Sequence, residues 1–530
     1  MRHISVVEVV MAIAILALFI VFELTYRISF DSVDFRHQAL DGNKPFICRI
    51  WPDLPELDPI APTYTHCPGT INSPHLGDLS VLGSRQQCIG ATARLAQYHE
   101  LAGRNWSGVK WGEVQSRCAS INHNLEFHEG SMHQRWQEPV RPQDQENRSG
   151  RNVRKTAVVL RAWDNYEYTA TRLTWLRALI SEVSLQRHDG YRVFFLVNIK
   201  DPELQLEENP SVYETALKKY VPEEFRDIAL LFNERTLKSW YEQIPQHGAQ
   251  DQMYQALQIF SHKFPEYSYV WQLEMDLRFT SHIFDSLAAS SAHAKAQGRR
   301  NLWERNGRFY IPALHNGSYE DFTETVDSEI GDSGIWGPVA TSDFVPRGPQ
   351  QPLRTERDWG VGEEADLISF MPMIDPIGTN WVYETEVHGF QDGEKTPRRA
   401  AIISVTRCSR RLLRLVHDAQ RQRGQWLVSE ATLETFSLLH GLKAVTVPHP
   451  IIFASDLTPR DLDLAVHKGP SSNKAGGEMP SMLYSKQGWV SGPWWEASYW
   501  FTGNGAQTVW ESYKGGAQLP PMLLHPVKEK

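Results

Sequence analysis

Several signatures of common function classes are missing from this 530-residue sequence, and each absence removes a possibility. There is no Walker A loop, which removes P-loop nucleotide hydrolysis. No close C-x₂-C pair occurs, and structural zinc sites are built on such pairs. No segment repeats at a fixed period, so a solenoid or propeller is excluded. Basic excess is absent too: 54 Lys and Arg face 63 Asp and Glu, for a net charge of -9 and a pI near 6.1. A nucleic-acid binder usually carries a basic stripe or surplus, so no nucleic-acid partner is expected. The apolar share of 41% and charged share of 22% describe a globular chain, long enough for one large α/β domain with appendages or for two or three smaller ones.

Cysteine is scarce, and its distribution is informative. Four of the five (Cys48, Cys67, Cys88 and Cys118) share one stretch near the amino terminus, and Cys408 stands apart. An even set in a chain facing an oxidising lumen implies two disulfides, with three pairings open. The compartment is argued from the first residues. From Ile4 to Leu24 only Ser5, Glu8 and Glu23 interrupt apolar residues, giving about 21 residues, roughly the span of a bilayer. No small-x-small cleavage site follows Phe22, so an uncleaved signal anchor is expected rather than a removed signal peptide. Flanking charge gives almost no orientation signal: Arg2 precedes the span, Arg27 and Arg36 follow it. Sequons at Asn105, Asn147 and Asn316 agree with a lumenal chain. The expectation is a single-span type II protein of the Golgi or endoplasmic reticulum membrane.

Four regions are read along the chain: tail and anchor over 1–25, an irregular disulfide-containing stem and linker over 26–150, an α/β domain over 151–455, and a Trp-rich tail over 456–530. The α/β domain opens with Ala157-Val158-Val159-Leu160, a short buried-type strand. Thr169 to Leu185 then places Leu173, Leu176, Ile180 and Val183 on one helical face. Tyr191 to Val197 is a second β-branched and aromatic run, and together the three make a βαβ unit of a parallel sheet. A further helical stripe, Met253, Leu257, Phe260 and Phe264, precedes the aromatic strand Tyr267 to Leu273. That strand ends in Glu274-Met275-Asp276. Residues two apart on a strand share a face, so two hard oxygen ligands emerge together where α/β sheets bind ligands. Such a pair suits Mn²⁺ or Mg²⁺, which also holds phosphates.

Other patterns carry less. Arg398, Arg399, Arg407, Arg410, Arg411 and Arg414 are either the solvated side of a helix or a local anion contact. Trp489, Trp494, Trp495, Tyr499, Trp500, Phe501 and Trp510 in the tail either pack onto the main domain or stack on sugar faces. Gly360-Val361-Gly362 follows no strand and leads into acids, so it is no dinucleotide loop. His128-Glu129 with His133 has one residue too many for a metalloprotease helix. Gly331-Asp332-Ser333-Gly334 lacks the following Gly and an upstream base of a serine protease.

The anchor, stem, βαβ start and acid-x-acid motif together resemble type II glycosyltransferases of the GT-A fold. A closer resemblance, over about residues 156 to 455, is to a fungal family described as a domain of unknown function with glycosyltransferase-like character. It rests on Val159-Leu160-Arg161-Ala162-Trp163, Trp175-Leu176-Arg177-Ala178-Leu179-Ile180, Val270 to Asp276, Ala365-Asp366-Leu367-Ile368, Asp375 to Trp381, Ser429-Glu430 and His440 to Pro450. The resemblance implies a Rossmann-like, mostly parallel sheet flanked by helices. It implies a divalent cation, Mn²⁺ or Mg²⁺, a nucleotide-sugar donor and a glycan or glycoprotein acceptor. Asp276 would bind the metal, and Glu274 its water shell or the ribose. His449 would be a further ligand, with His440 in reserve. Arg161 and Asp201, ending the first two strands, would meet the nucleotide. Glu430 would deprotonate the acceptor hydroxyl, with Asp332 and Asp375 as alternatives. The competing reading is a membrane-anchored, non-catalytic lectin-like or scaffolding protein that keeps the fold.

Overall fold

Apolar runs without alternation are what strands become when both faces of a parallel sheet are covered. In the computed structural model these runs form the centre of a seven-stranded sheet. The structure describes residues 48–529 except 68–70, 72–73, 101–103, 124–131, 138–154, 188–190, 353–357, 380, 455–456 and 468–492. The expected anchor and most of the expected linker lie outside the described residues. Among the described residues no helix is long and apolar enough to cross a membrane.

The sheet strands are β1 (Lys155–Trp163), β2 (Arg192–Asn198), β3 (Ala229–Phe232), β4 (Tyr267–Glu274), β5 (Leu367–Ser369), β6 (Val405–Ser409) and β7 (Ala444–Thr446). Across the sheet they run β7-β5-β6-β4-β1-β2-β3. All neighbouring pairs are parallel except those of β6, which is antiparallel to both β4 and β5. The fold is therefore mixed α/β, with a mostly parallel sheet flanked by helices. Ala157, Val158 and Val159 of β1 and Val193, Phe195 and Val197 of β2 are completely buried.

The flanking helices follow from local sequence. Helix α1 (Ala170–Ser184) connects β1 to β2, is capped by the Thr169 hydroxyl and buries Leu176, Ile180 and Val183. Helix α2 (Tyr254–Lys263) buries Leu257 and Phe260 and delivers the chain to β4. Helix α3 (Arg410–Arg423) starts at a Ser409 cap and ends at left-handed Gly424. Helix α4 (Ser429–His440) is almost wholly buried, and Gly441 in the left-handed region ends it.

One topological detail places the site. From β1 the chain builds β2 and β3 on one side, then returns to lay β4 on the other side of β1. Strand order reverses at β1 and β4, and open α/β sheets bind ligands in the crevice at the carboxyl ends of such a pair. In register, Arg161 of β1 lies beside Glu274 of β4.

The flanking regions pack on this core. Disulfides join Cys48 to Cys118 and Cys67 to Cys88, while Cys408 is free and buried. Two disulfides agree with a chain held in an oxidising compartment. Arg94, fully buried, grips Glu182 of α1 through two hydrogen bonds of 2.6 and 2.9 Å. Arg177 of α1 is shared between Glu224 and Glu100. At the other terminus, Leu523–Leu524 pairs antiparallel with Arg278–Phe279, just beyond β4. Glu529 then locks onto Arg278 at 2.8 Å and accepts from the Trp510 indole of α5 (Gly505–Lys514) at 2.7 Å. Of the aromatic tail, Trp494, Tyr499, Trp500 and Trp510 are buried. These rings pack onto the core rather than form a sugar platform, while Trp495 and Phe501 stay exposed.

Candidate metal and nucleotide site

Strand alternation decides the acidic pair. Trp271 and Leu273 are fully buried, and Met275 turns inward between Glu274 and Asp276. The two carboxylates therefore emerge on one side at the end of β4. There they meet a partner from the carboxyl terminus, His525. Its Nε2 lies 2.9 Å from Glu274 Oε2 and 3.1 Å from Asp276 Oδ1, and one ligand atom from each of the three residues lies within 4.8 Å of the others.

His525 is held in position by its other nitrogen. Nδ1 lies 2.5 Å from the Trp500 carbonyl oxygen and 3.0 Å from Ser404 Oγ of the segment entering β6. A ring that donates Nδ1–H to a carbonyl presents the Nε2 lone pair outward, the orientation metal-binding imidazoles adopt. Backbone bonds fix the segment as well: Val527 N–H donates to the Asp276 carbonyl at 2.9 Å and Trp500 N–H to the His525 carbonyl at 2.8 Å. Burial opposes charge on His525, yet Asp276 and Glu274 outweigh it and push its pKa up to about 10. Burial would likewise raise Asp276, but the charge and hydrogen bond of His525 hold it below the usual carboxylate range. Without a cation His525 is therefore an imidazolium whose Nε2–H faces the two acids, and a divalent cation would displace that proton to use the Nε2 lone pair. Two carboxylate oxygens and one imidazole nitrogen gathered within 4.8 Å are a donor set that fits Mn²⁺ or Mg²⁺.

Arg161 extends the site along the crevice. Its guanidinium lies 3.1 Å from Glu274 Oε1 and lines a slot at the ends of β1, β2 and β3, together with Trp163, Asn198, Phe232, Gln252 and Gln272. Gln272 is 1% exposed, and its Oε1 has no hydrogen-bond partner among the described residues. This is a buried acceptor in a slot whose walls are mostly apolar, with Arg161, Asn198 and Gln252 as its other polar groups.

Glu430 sits in the first turn of α4. Burial, with help from Asp251 and Glu274, pushes its pKa up to about 7, against the pull of Arg161. Those neighbours put Glu430 on the same crevice as the acidic pair. A carboxyl poised near neutrality is suited to take a proton.

The remaining sequence candidates lie elsewhere. His449 is buried between Phe370 and Tyr499, with its ring 4.4 Å from Tyr499, and burial pushes its pKa down to about 3. The structure does not gather it with Glu274 and Asp276; His525 takes that position. His440 packs against Phe344 and Phe436 at the end of α4. Asp201 is exposed and accepts the Glu203 amide in a turn beyond β2. Asp332 faces solvent beside Arg300, and Asp375 lies 3.6 Å from Arg399.

A family model for a protein of unknown function matches residues 83–529. The chain belongs to the DUF3405 family. The match extends beyond the 156–455 core on which the resemblance rested. It takes in Cys88 and Cys118 of the disulfide region and, at the other end, the segment that carries His525, so Arg161, Glu274, Asp276, Glu430 and His525 all lie within the DUF3405 match. No curated protein matches the chain.

Proposed function

We propose that this DUF3405 protein is a metal-dependent glycosyltransferase that moves a sugar from a nucleotide-diphosphate donor to a glycan or glycoprotein acceptor. We place it in the secretory pathway, held to the Golgi or endoplasmic reticulum membrane by an N-terminal span, with a GT-A-like core. The observation that carries the reading is the Glu274, Asp276 and His525 cluster at the switch point of a parallel sheet. A divalent cation held there by Asp276, Glu274 and His525 supplies charge neutralisation for a diphosphate leaving group.

The chain's own residues supply the rest. The slot beside Arg161 accepts the nucleoside. Its apolar walls take the base, and the Gln272 carbonyl offers an acceptor to a base N–H. Arg161 holds the ribose-phosphate side and, through its contact with Glu274, keeps that carboxylate oriented. Glu430 takes the proton of the acceptor hydroxyl, a role suited to a carboxyl whose pKa burial has raised to about 7.

The test uses the full-length chain in detergent. Nucleoside-diphosphate sugars are titrated with Mn²⁺, following thermal stabilisation and donor hydrolysis, and the panel is repeated with Asp276→Asn. Mn²⁺-dependent binding that disappears in the folded variant supports the transferase. Absence of binding across the panel overturns the transferase and favours the non-catalytic lectin-like or scaffolding protein.

A further inference from the structure

The six arginines between Arg398 and Arg414 divide into two groups in the fold. Four are consumed by internal contacts. Arg398 donates to the Glu394, Thr396 and Glu384 carbonyls, and Arg399 lies by Asp375. Arg407 stacks on Tyr269 and pairs with Glu364, and Arg411 pairs with Asp366 at 2.5 Å. Arg410 and Arg414 instead line a cleft between α2 and α3 with Gln258, Ser261, His262 and His417.

The cleft is built around cations. Arg410, Arg414, His417 and Arg421 follow at i, i+4, i+7 and i+11 on α3, which is one helical stripe. No acid lines it. Asp418 reaches Arg414 only at 4.0 Å. Glu266, the acid nearest in effect to Arg410, is held by Arg135 through two bonds of 2.8 Å. The field shows in the imidazoles: burial first, then Arg421, Arg414 and Arg410, push His262 down to about 4. His417, stacked on it at 5.0 Å, is pushed to about 3.

A second, independent observation points to a ligand. Gln258 is 1% exposed, yet both its Nε2 and its Oε1 lack hydrogen-bond partners among the described residues. Leaving a buried amide unmatched on both atoms is costly unless something fills the cleft. Water would satisfy the amide and hydrate the guanidiniums, Arg414 being 62% exposed, but would not offset their charge. An oxyanion satisfies both.

We propose that this cleft is a phosphate-binding site: Arg410 and Arg414 neutralise the anion, and Gln258 hydrogen-bonds it. Hydrogen phosphate suits Gln258 better than sulfate does, because it carries a P–OH donor for the amide oxygen as well as acceptors for the amide nitrogen. The site is distinct from the metal crevice. Ser409, which caps α3, pairs with Tyr269 near the start of β4, and Glu274 ends that strand, so the two lie about 17 Å apart along it. Arg410 and Arg414 also border a broad groove of about 1050 Å³ whose walls carry Asp343, Glu363, Glu364, Asp366 and Asp418, so a carrier of the phosphate has room there if it is not itself strongly acidic.

The experiment titrates the full-length chain with inorganic phosphate, methyl phosphate and sulfate, in low salt with a chelator present, by calorimetry and thermal shift. Saturable phosphate binding is expected, tighter than sulfate and weakened in 1 M salt. Affinity should fall about tenfold or more in Arg410→Gln/Arg414→Gln and disappear in Gln258→Glu, while Asp276→Asn leaves it unchanged. Equal binding of methyl phosphate identifies an esterified phosphate as the ligand class, and preference for the inorganic ion identifies free phosphate. The proposal is overturned if phosphate binding does not saturate, if sulfate binds as tightly, or if a folded Gln258→Glu protein binds phosphate like the wild type.

Discussion

Two histidine sites at opposite ends of β4 differ in charge although both lie in tightly packed surroundings. His525, 3% exposed, sits between Glu274 and Asp276 and holds its proton with a pKa pushed up to about 10. His262 and His417 sit among Arg410, Arg414 and Arg421 and are pushed down to about 4 and 3. Burial disfavours the imidazolium in both places. At His525 the two carboxylates reverse that effect, whereas at His262 and His417 burial is the larger cause and the guanidiniums add to it. An imidazole among carboxylates marks a place where a cation belongs, and imidazoles among guanidiniums mark a place where an anion belongs. On the two proposals above, one sheet would present a cation site at the carboxyl ends of its parallel strands and an anion site at the other end.

The most severe way to break the contrast is to remove the acid that defines the first site. Asp276→Asn should lower donor turnover by on the order of 10³-fold, read as initial rate at saturating Mn²⁺. It should also bring the His525 pKa down, read by NMR. Next comes Glu430→Gln, expected to cost roughly 10²-fold or more in kcat with little change in donor affinity. Because the active form of Glu430 is the carboxylate and burial raises its pKa to about 7, wild-type kcat should climb with pH and level off above about 7. The Glu430→Gln variant should lack that limb. A third pair sharpens the assignment of the histidine. His525→Ala should weaken Mn²⁺ binding by about 10- to 100-fold, measured by calorimetry, whereas His449→Phe should leave it unchanged. Weakening by the second variant instead would return His449 to the ligand set.

Why the sequence nominates His449 is instructive. Val447-Pro448-His449-Pro450 follows the strand at Ala444, and Leu523-Leu524-His525-Pro526 follows another short apolar run. The two segments share the same local pattern, a strand followed by His-Pro. Which one reaches the acids depends on the pairing of Leu523–Leu524 with Arg278–Phe279, a long-range contact that no periodicity records. The elements with local signals were legible. The helix expected from Thr169 to Leu185 is Ala170–Ser184, and the strand carrying the acidic pair ends at Glu274. Strand β6, only five residues long and carrying Arg407, has no alternation to announce it, and its antiparallel direction is set by its neighbours. The arginine run was ambiguous for a similar reason. Spacing along the chain does not separate Arg411, which faces Asp366, from Arg410, which faces the cleft.

The smallest expected effect concerns the anion end, and it tests whether charge rather than burial sets the contrast. His262 and His417 have folded pKa values below the unfolded value of about 6.5. Such groups take up protons on unfolding, so their share of stability is present above about 6.5 and declines as pH falls toward 4. His525 has the opposite sign: its raised pKa contributes fully below about 6.5, and that contribution is lost as pH rises through about 10. Replacing Arg410 and Arg414 by Gln removes two of the cations acting on His262 while leaving its burial nearly intact. Its pKa should then move up by on the order of half a unit, followed through the imidazole carbon-bound protons by NMR, and the acid limb of the stability curve should become shallower. The His525 titration should stay where it is. If the His262 resonance does not move, desolvation alone sets its pKa, and the difference between the two ends of β4 reduces to the presence of acids at one of them.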